Sequence, residues 1–155
     1  ILGGYMKRIF VAVLIICFAL SFFGCKEKET SLKEVTLLIA DKDLNELARY
    51  QKEAKGTLAD LLGTIAEQDS DFSYTTIFSG KFLESVTIKE NIGLFPDSGK
   101  NEFIAIYHTI DTPEQRDYTI DALTYDGLSF FSAANGIDST PLVDGASYLI
   151  KIVSF

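Results

Sequence analysis

The chain has 155 residues, room for one domain with a targeting segment rather than two full domains. It is 47% hydrophobic and 23% charged, a globular rather than a disordered composition. Lys7 and Arg8 are the only charges before Cys25, so 14 − 2 = 12 basic and all 22 acidic residues follow it, a balance of -10 that makes nucleic acid a poor partner.

In chain order, Met6-Lys7-Arg8 forms a positively charged start, with Ile1 to Tyr5 reading as upstream sequence. Ile9 to Phe23 is an uncharged apolar run, short of the roughly 20 residues of a membrane span and suited to a signal peptide. It closes on Leu20-Ser21-Phe22-Phe23-Gly24-Cys25, which resembles a bacterial lipobox with Cys25 as the lipid-attachment residue. The two phenylalanines depart from the strict pattern. An uncleaved anchor with Cys25 incidental is the alternative. Either places the rest of the chain outside the cytoplasm, held at a bacterial membrane. Residues 1–25 are thus expected to be a signal peptide, 26–33 a polar tether, and 34–155 one domain. The domain has no cysteine, so a disulfide framework and a cysteine metal site are both excluded.

Within the domain, Val35 to Ala40 is β-branched and apolar, and reads as a strand. Asp41-Lys42-Asp43 is a turn. Leu44 to Lys55 is compatible with a short helix or with a second strand paired back on the first. Thr57, with Asp60 three residues on, begins a helix whose Leu58, Leu61, Leu62 and Ile65 share one face. Phe72 to Phe78, Phe82 to Ile88 and Phe103 to His108 read as strands, with a turn at Ser79-Gly80. Asn91 to Asn101 carries Gly93, Pro96 and Gly99 and reads as a loop, as does Asp111 to Tyr118. Asp126-Gly127 is a hairpin turn between Ile120–Tyr125 and Leu128–Ser132. Asp144-Gly145 turns into a final apolar strand, Tyr148 to Phe155. One helix among several strands implies an α+β domain: a mixed sheet packed on one helix.

Catalytic chemistry is poorly represented. His108 is the single histidine and ends a strand, a position more often structural than catalytic. There is no nucleophile elbow, P-loop or dinucleotide fingerprint. Asp41 with Asp43, and Asp69 with Asp71, look like fragments of a calcium loop. Neither continues through the required ligand spacing, so turn formation explains them better. The chain is rich in Phe (12) and Tyr (7) and has no Trp. Tyr107, Tyr125, Phe130 and Phe131 cluster in the later strands. They read as core, or alternatively with His108 as the wall of a ligand site.

Three stretches in order carry a resemblance: Gly56-Thr57-Leu58-Ala59-Asp60-Leu61-Leu62, then Phe82-Leu83-Glu84-Ser85-Val86, then Gly136-Ile137-Asp138-Ser139-Thr140-Pro141-Leu142-Val143-Asp144-Gly145. The chain from Glu34 to Phe155 resembles the transcobalamin-like C-terminal domain, a bacterial family of largely unknown function. The resemblance implies a β-grasp-like fold and favours the second strand for Leu44 to Lys55. In the animal vitamin carriers the related domain caps cobalamin against a helical domain, so binding rather than catalysis is implied. Glu102 to Tyr107 here lacks the Trp often found in that strand, and this sequence carries no helical partner. The expectation is a membrane-anchored, non-enzymatic binding module. It would present the Tyr107–Asp117 and Phe130–Pro141 edges to a cobalamin-like small molecule or an envelope protein. The alternative is a structural or adhesion domain with no small-molecule site.

Overall fold

The computed structural model describes residues 31–154. The proposed signal peptide, Cys25 and most of the tether lie outside the described residues. The described residues form a mixed α+β fold, mostly strands with one helix. β1 (Lys33–Ala40) and β2 (Glu46–Ala54) make an antiparallel hairpin, then α1 (Leu58–Gln68) follows. β3 (Ser73–Ile77), β4 (Phe82–Lys89) and β5 (Ile92–Leu94) form a separate three-stranded antiparallel sheet. β6 (Glu102–His108), the β7–β8 hairpin (Leu123–Tyr125, Leu128–Ser132) and β9 (Ser147–Ser154) return to the main sheet. Its order is β2-β1-β9-β6-β8-β7. β9 runs parallel to β1 and antiparallel to β6, so the last strand sits in the middle.

The strand alternation divides the core in two. Val35, Leu37, Ile39, Ile104, Ile106, Tyr148 and Ile150 belong to a core shared with Leu58, Leu61, Leu62 and Ile65 of α1. Leu38, Ala40, Tyr107, Phe130 and Leu149 form a second, smaller cluster.

The start of α1 is specified twice. Thr57 N–H donates to Asp60 Oδ2 at 2.8 Å, and the Thr57 hydroxyl donates to the same oxygen at 3.1 Å. The next two backbone donors, which a helix leaves without internal partners, reach outside it. Leu58 N–H donates to Thr140 C=O at 2.9 Å and Ala59 N–H to Ile137 C=O at 3.0 Å. Leu142 N–H donates back to Gly56 C=O at 2.9 Å. The first and last stretches behind the family resemblance are therefore in direct contact, and their role in this molecule is to dock the helix.

Three expectations need revision or resolution. Leu44 to Lys55 resolves as a strand, Glu46–Ala54, despite helix-favouring Glu, Leu, Ala, Arg, Gln and Lys. Pairing with β1 along its length overrides local propensity. The loop expected over Asn91–Asn101 contains β5 and a 3-10 turn at Ser98–Lys100. Gly93 permits β5: a Cβ there would collide with Val86 C=O of β4. The strand expected over Ile120–Tyr125 is shorter, beginning at Leu123. Asp126 and Gly127 both have positive φ, 52° and 75°, as a tight two-residue hairpin requires.

Candidate functional site

β6 pairs with β9 over all seven of its residues, but with β8 only at Tyr107 and His108. One further bond follows, from Ala133 N–H to Ile106 C=O at 2.9 Å, and there β8 departs. A cleft of about 380 Å³ opens beside β6, lined by its residues from Phe103 to Tyr107. Its apolar lining includes Phe82, Phe103 and Ile120, and its polar lining includes Asp117, Ser132 and Asn135.

Each wall has a local cause. Phe82 stands at the start of β4, where Lys81 C=O accepts the Ile137 N–H at 2.9 Å. Gly136 makes that approach possible, since a Cβ on it would strike Lys81 C=O. Just before Phe82, Phe78 adopts a left-handed backbone (φ 53°) and is 72% exposed, its ring edge-on to Phe82 at 5.9 Å. A non-glycine residue at positive φ is uncommon, and here it holds an aromatic ring in solvent beside the cleft's lip.

The opposite wall is a strap over residues 111–120. Arg116 pins it: its Nη1 donates to Asp111 Oδ1 at 2.8 Å, and its guanidinium lies 4.5 Å from the Tyr118 ring centroid and 4.2 Å from that of Phe131. Asp117 N–H donates to Ser132 C=O and Ala134 N–H to Gln115 C=O, both at 2.8 Å, which ties the strap to the chain leaving β8. Asp117 Oδ1 accepts from the Thr119 hydroxyl at 2.6 Å and the Thr119 N–H at 2.8 Å. These bonds, the hydroxyl's first, hold its carboxyl below the usual carboxylate range. The cleft thus carries a fixed negative charge.

The aromatic residues singled out in the sequence separate. Tyr107 lines the cleft and packs in the second core cluster with Phe130. Tyr125 packs against the same cluster, its ring 6.4 Å from that of Phe130. Phe131 lies on the other side of β8, under Arg116. His108 ends β6, as its position in the sequence indicates, but is fully buried. Burial pushes its imidazole below the ordinary value, and Nε2 lies 2.9 Å from Gln115 C=O. His108 Nδ1, Gln115 Oε1 and Arg116 Nε are buried in the same corner without a hydrogen-bond partner. Of the five, Tyr107 alone lines the cleft. Asp117, Ser132, Ala133 and Asn135 fall within the two edges marked in the sequence. Phe82, Phe103 and Ile120 do not, because they reach the cleft by long-range packing that no local pattern records.

The paired aspartates form turns. Asp41 Oδ1 accepts from the Asp43 and Asn45 N–H groups, both at 2.9 Å, and Asp69 Oδ1 from the Asp71 N–H at 3.0 Å. Among the described residues, no three His, Cys, Asp or Glu side chains converge to hold a metal.

No protein-family model matches the chain, and no curated protein matches it. It is similar in shape to solved structures. The crystal structure of a "putative metal binding protein" from Ruminococcus gnavus ATCC 29149 is 16% identical, covering 79% of this chain and 98% of that one, with a TM-score of 0.47. A likeness of that degree transfers no residue role.

Proposed function

We propose that this chain is a non-catalytic binding module, held outside the cytoplasm by a lipid on Cys25, with its ligand site in the cleft beside β6. The observation that carries the reading is the cleft itself. It combines apolar walls with a few convergent polar groups, the usual make-up of a ligand site. The alternative of a structural or adhesion domain would be better served by a filled core and a flat surface. The strand order supports a β-grasp-like reading: a hairpin, a helix across it, and a last strand returning parallel to the first. Among the described residues no helix is long and apolar enough to cross a membrane, so attachment in this reading depends on the N-terminal segment. A cobalamin-type corrinoid is the small molecule suggested by resemblance; an envelope protein is the macromolecular candidate.

The test uses full-length protein purified from membranes. Native mass spectrometry should find a retained ligand, and Ile120→Arg, at an exposed position on the cleft wall, should remove it. A ligand retained equally by Ile120→Arg, or no ligand at all, would count against the cleft. Spectroscopic titration with cobalamin decides the corrinoid, which an unchanged spectrum eliminates. Cys25→Ala should move the protein from the membrane to the soluble fraction and abolish acylation.

A further inference from the structure

We infer that the cleft takes an extended basic peptide, added as a short strand to the open edge of β6; this rests on the cleft being the binding site. In an antiparallel ladder, alternate residues turn both backbone groups to the same side. Ile106 C=O faces β8, since it accepts the Ala133 N–H. Ile104 and Glu102 therefore face the same way, into the space that β8 leaves. The Glu102 N–H is taken by Asp97 C=O at 3.2 Å. Four successive groups remain along that edge: Glu102 C=O, Ile104 N–H, Ile104 C=O and Ile106 N–H. The β8 ladder stops at Tyr107, so it pairs with none of them.

A sheet edge with unpaired donors and acceptors is a template for another strand. Here it is recessed in a cleft of about 380 Å³, room for about two to three residues at the spacing, layer thickness and rise of a β-strand. Four open groups are what two pairing residues of a guest strand would satisfy. The walls specify the side chains. Phe82 and Ile120 suit an apolar residue. Asp117, ionised and fixed by Thr119, suits a lysine or arginine. The acidic balance of the domain attracts a basic segment from a distance. A compact small molecule would use the walls but leave the backbone edge unmet.

The experiment uses full-length protein in detergent and acetylated heptapeptides alternating valine or isoleucine with lysine. Each peptide has two N-methylated twins, modified at one or the other alternate set of backbone amides. Binding is expected for the parent peptides, with one twin weakened about tenfold or more and the other nearly unchanged, because one face of a guest strand pairs with β6. Amide exchange at Ile104 and Ile106 should slow on binding. Asp117→Asn should reduce affinity and its salt dependence, and Ile120→Arg should abolish binding. Equal effects of the two twins, or unchanged exchange at Ile104, would overturn strand addition. If a small molecule binds in a manner sensitive to Ile120→Arg while no peptide does, strand addition fails and the binding module stands. If Ile120→Arg alters the binding of neither, both fail.

Discussion

Arg49 Nη2 of β2 meets Asp126 Oδ2 of the β7–β8 turn at 2.8 Å, although their strands are opposite edges of one six-stranded sheet. Glu46 joins them, accepting from Arg49 Nη2 at 2.7 Å and from the Tyr125 hydroxyl at 3.0 Å. The sheet therefore curls until its edges touch. Leu38, Tyr107, Phe130 and Leu149 are buried there with no helix among the described residues on that side. Exposed ion pairs add little to global stability, so the expected effect is local. Asp126→Ala should speed amide exchange in β7 and at Leu128 and leave α1 unchanged. Raised salt should partly reproduce the effect. Equal acceleration in α1 would show that the contact supports the whole fold.

Tyr148 fastens the closing segment. Its hydroxyl donates to Pro141 C=O at 2.7 Å and accepts the Val143 N–H at 2.9 Å. Tyr148→Phe removes both of these partly buried bonds and should cost about 1 kcal/mol in denaturant unfolding. Burial pushes the phenol up to about 12 from an ordinary 10.0. A pKa raised in the folded state means that the contribution is fully present below pH 10.0 and fades as the pH climbs toward 12. The alkaline limb of the stability profile should flatten in Tyr148→Phe.

His108 sets the opposite limb. Its imidazole is buried and neutral, with its folded pKa depressed below 6.5. Between that depressed value and 6.5 the unfolded chain binds more protons, so stability falls as the pH drops below 6.5. His108→Gln removes this titration and should flatten the acid side. A variant whose acid limb matches the native profile would assign the loss to carboxylates.

Gly136→Ala tests how the cleft is built. The added methyl meets Lys81 C=O, a backbone atom that cannot swing aside. We expect a loss of about 1–3 kcal/mol and a displaced Phe82, read as weaker peptide binding. Gly80→Ala has open space around its methyl. It should leave that contact intact, although its positive φ costs some stability.

Much of the frame is legible in the sequence where a signal is local. Thr57 and Asp60 announce α1, its four apolar positions share a face, and Asp126-Gly127 announces a hairpin. β2 is not decided by its local pattern, because its outward residues are those that also populate helices; pairing with β1 settles it as the strand. β5 is hidden by Gly93, which reads as a breaker in one dimension and as a close-contact residue in three. The cleft is the least legible feature. It exists because β8 leaves β6 after Ala133, and one wall, Phe82, is set by a contact between Lys81 and the Gly136-Ile137 segment, more than fifty residues further along the chain. The aromatic count pointed to the later strands, but it could not tell the two faces of β8 apart, which separate Phe130 from Phe131.

The central place of β9 has a temporal consequence. β1 and β6 are joined through it, so the main sheet cannot close until the final residues are available, however early the β1–β2 hairpin and α1 form. Contacts that span most of the chain form slowly. Under the proposed export across a bilayer, that delay keeps the chain threadable while β1, β2 and α1 wait for β9.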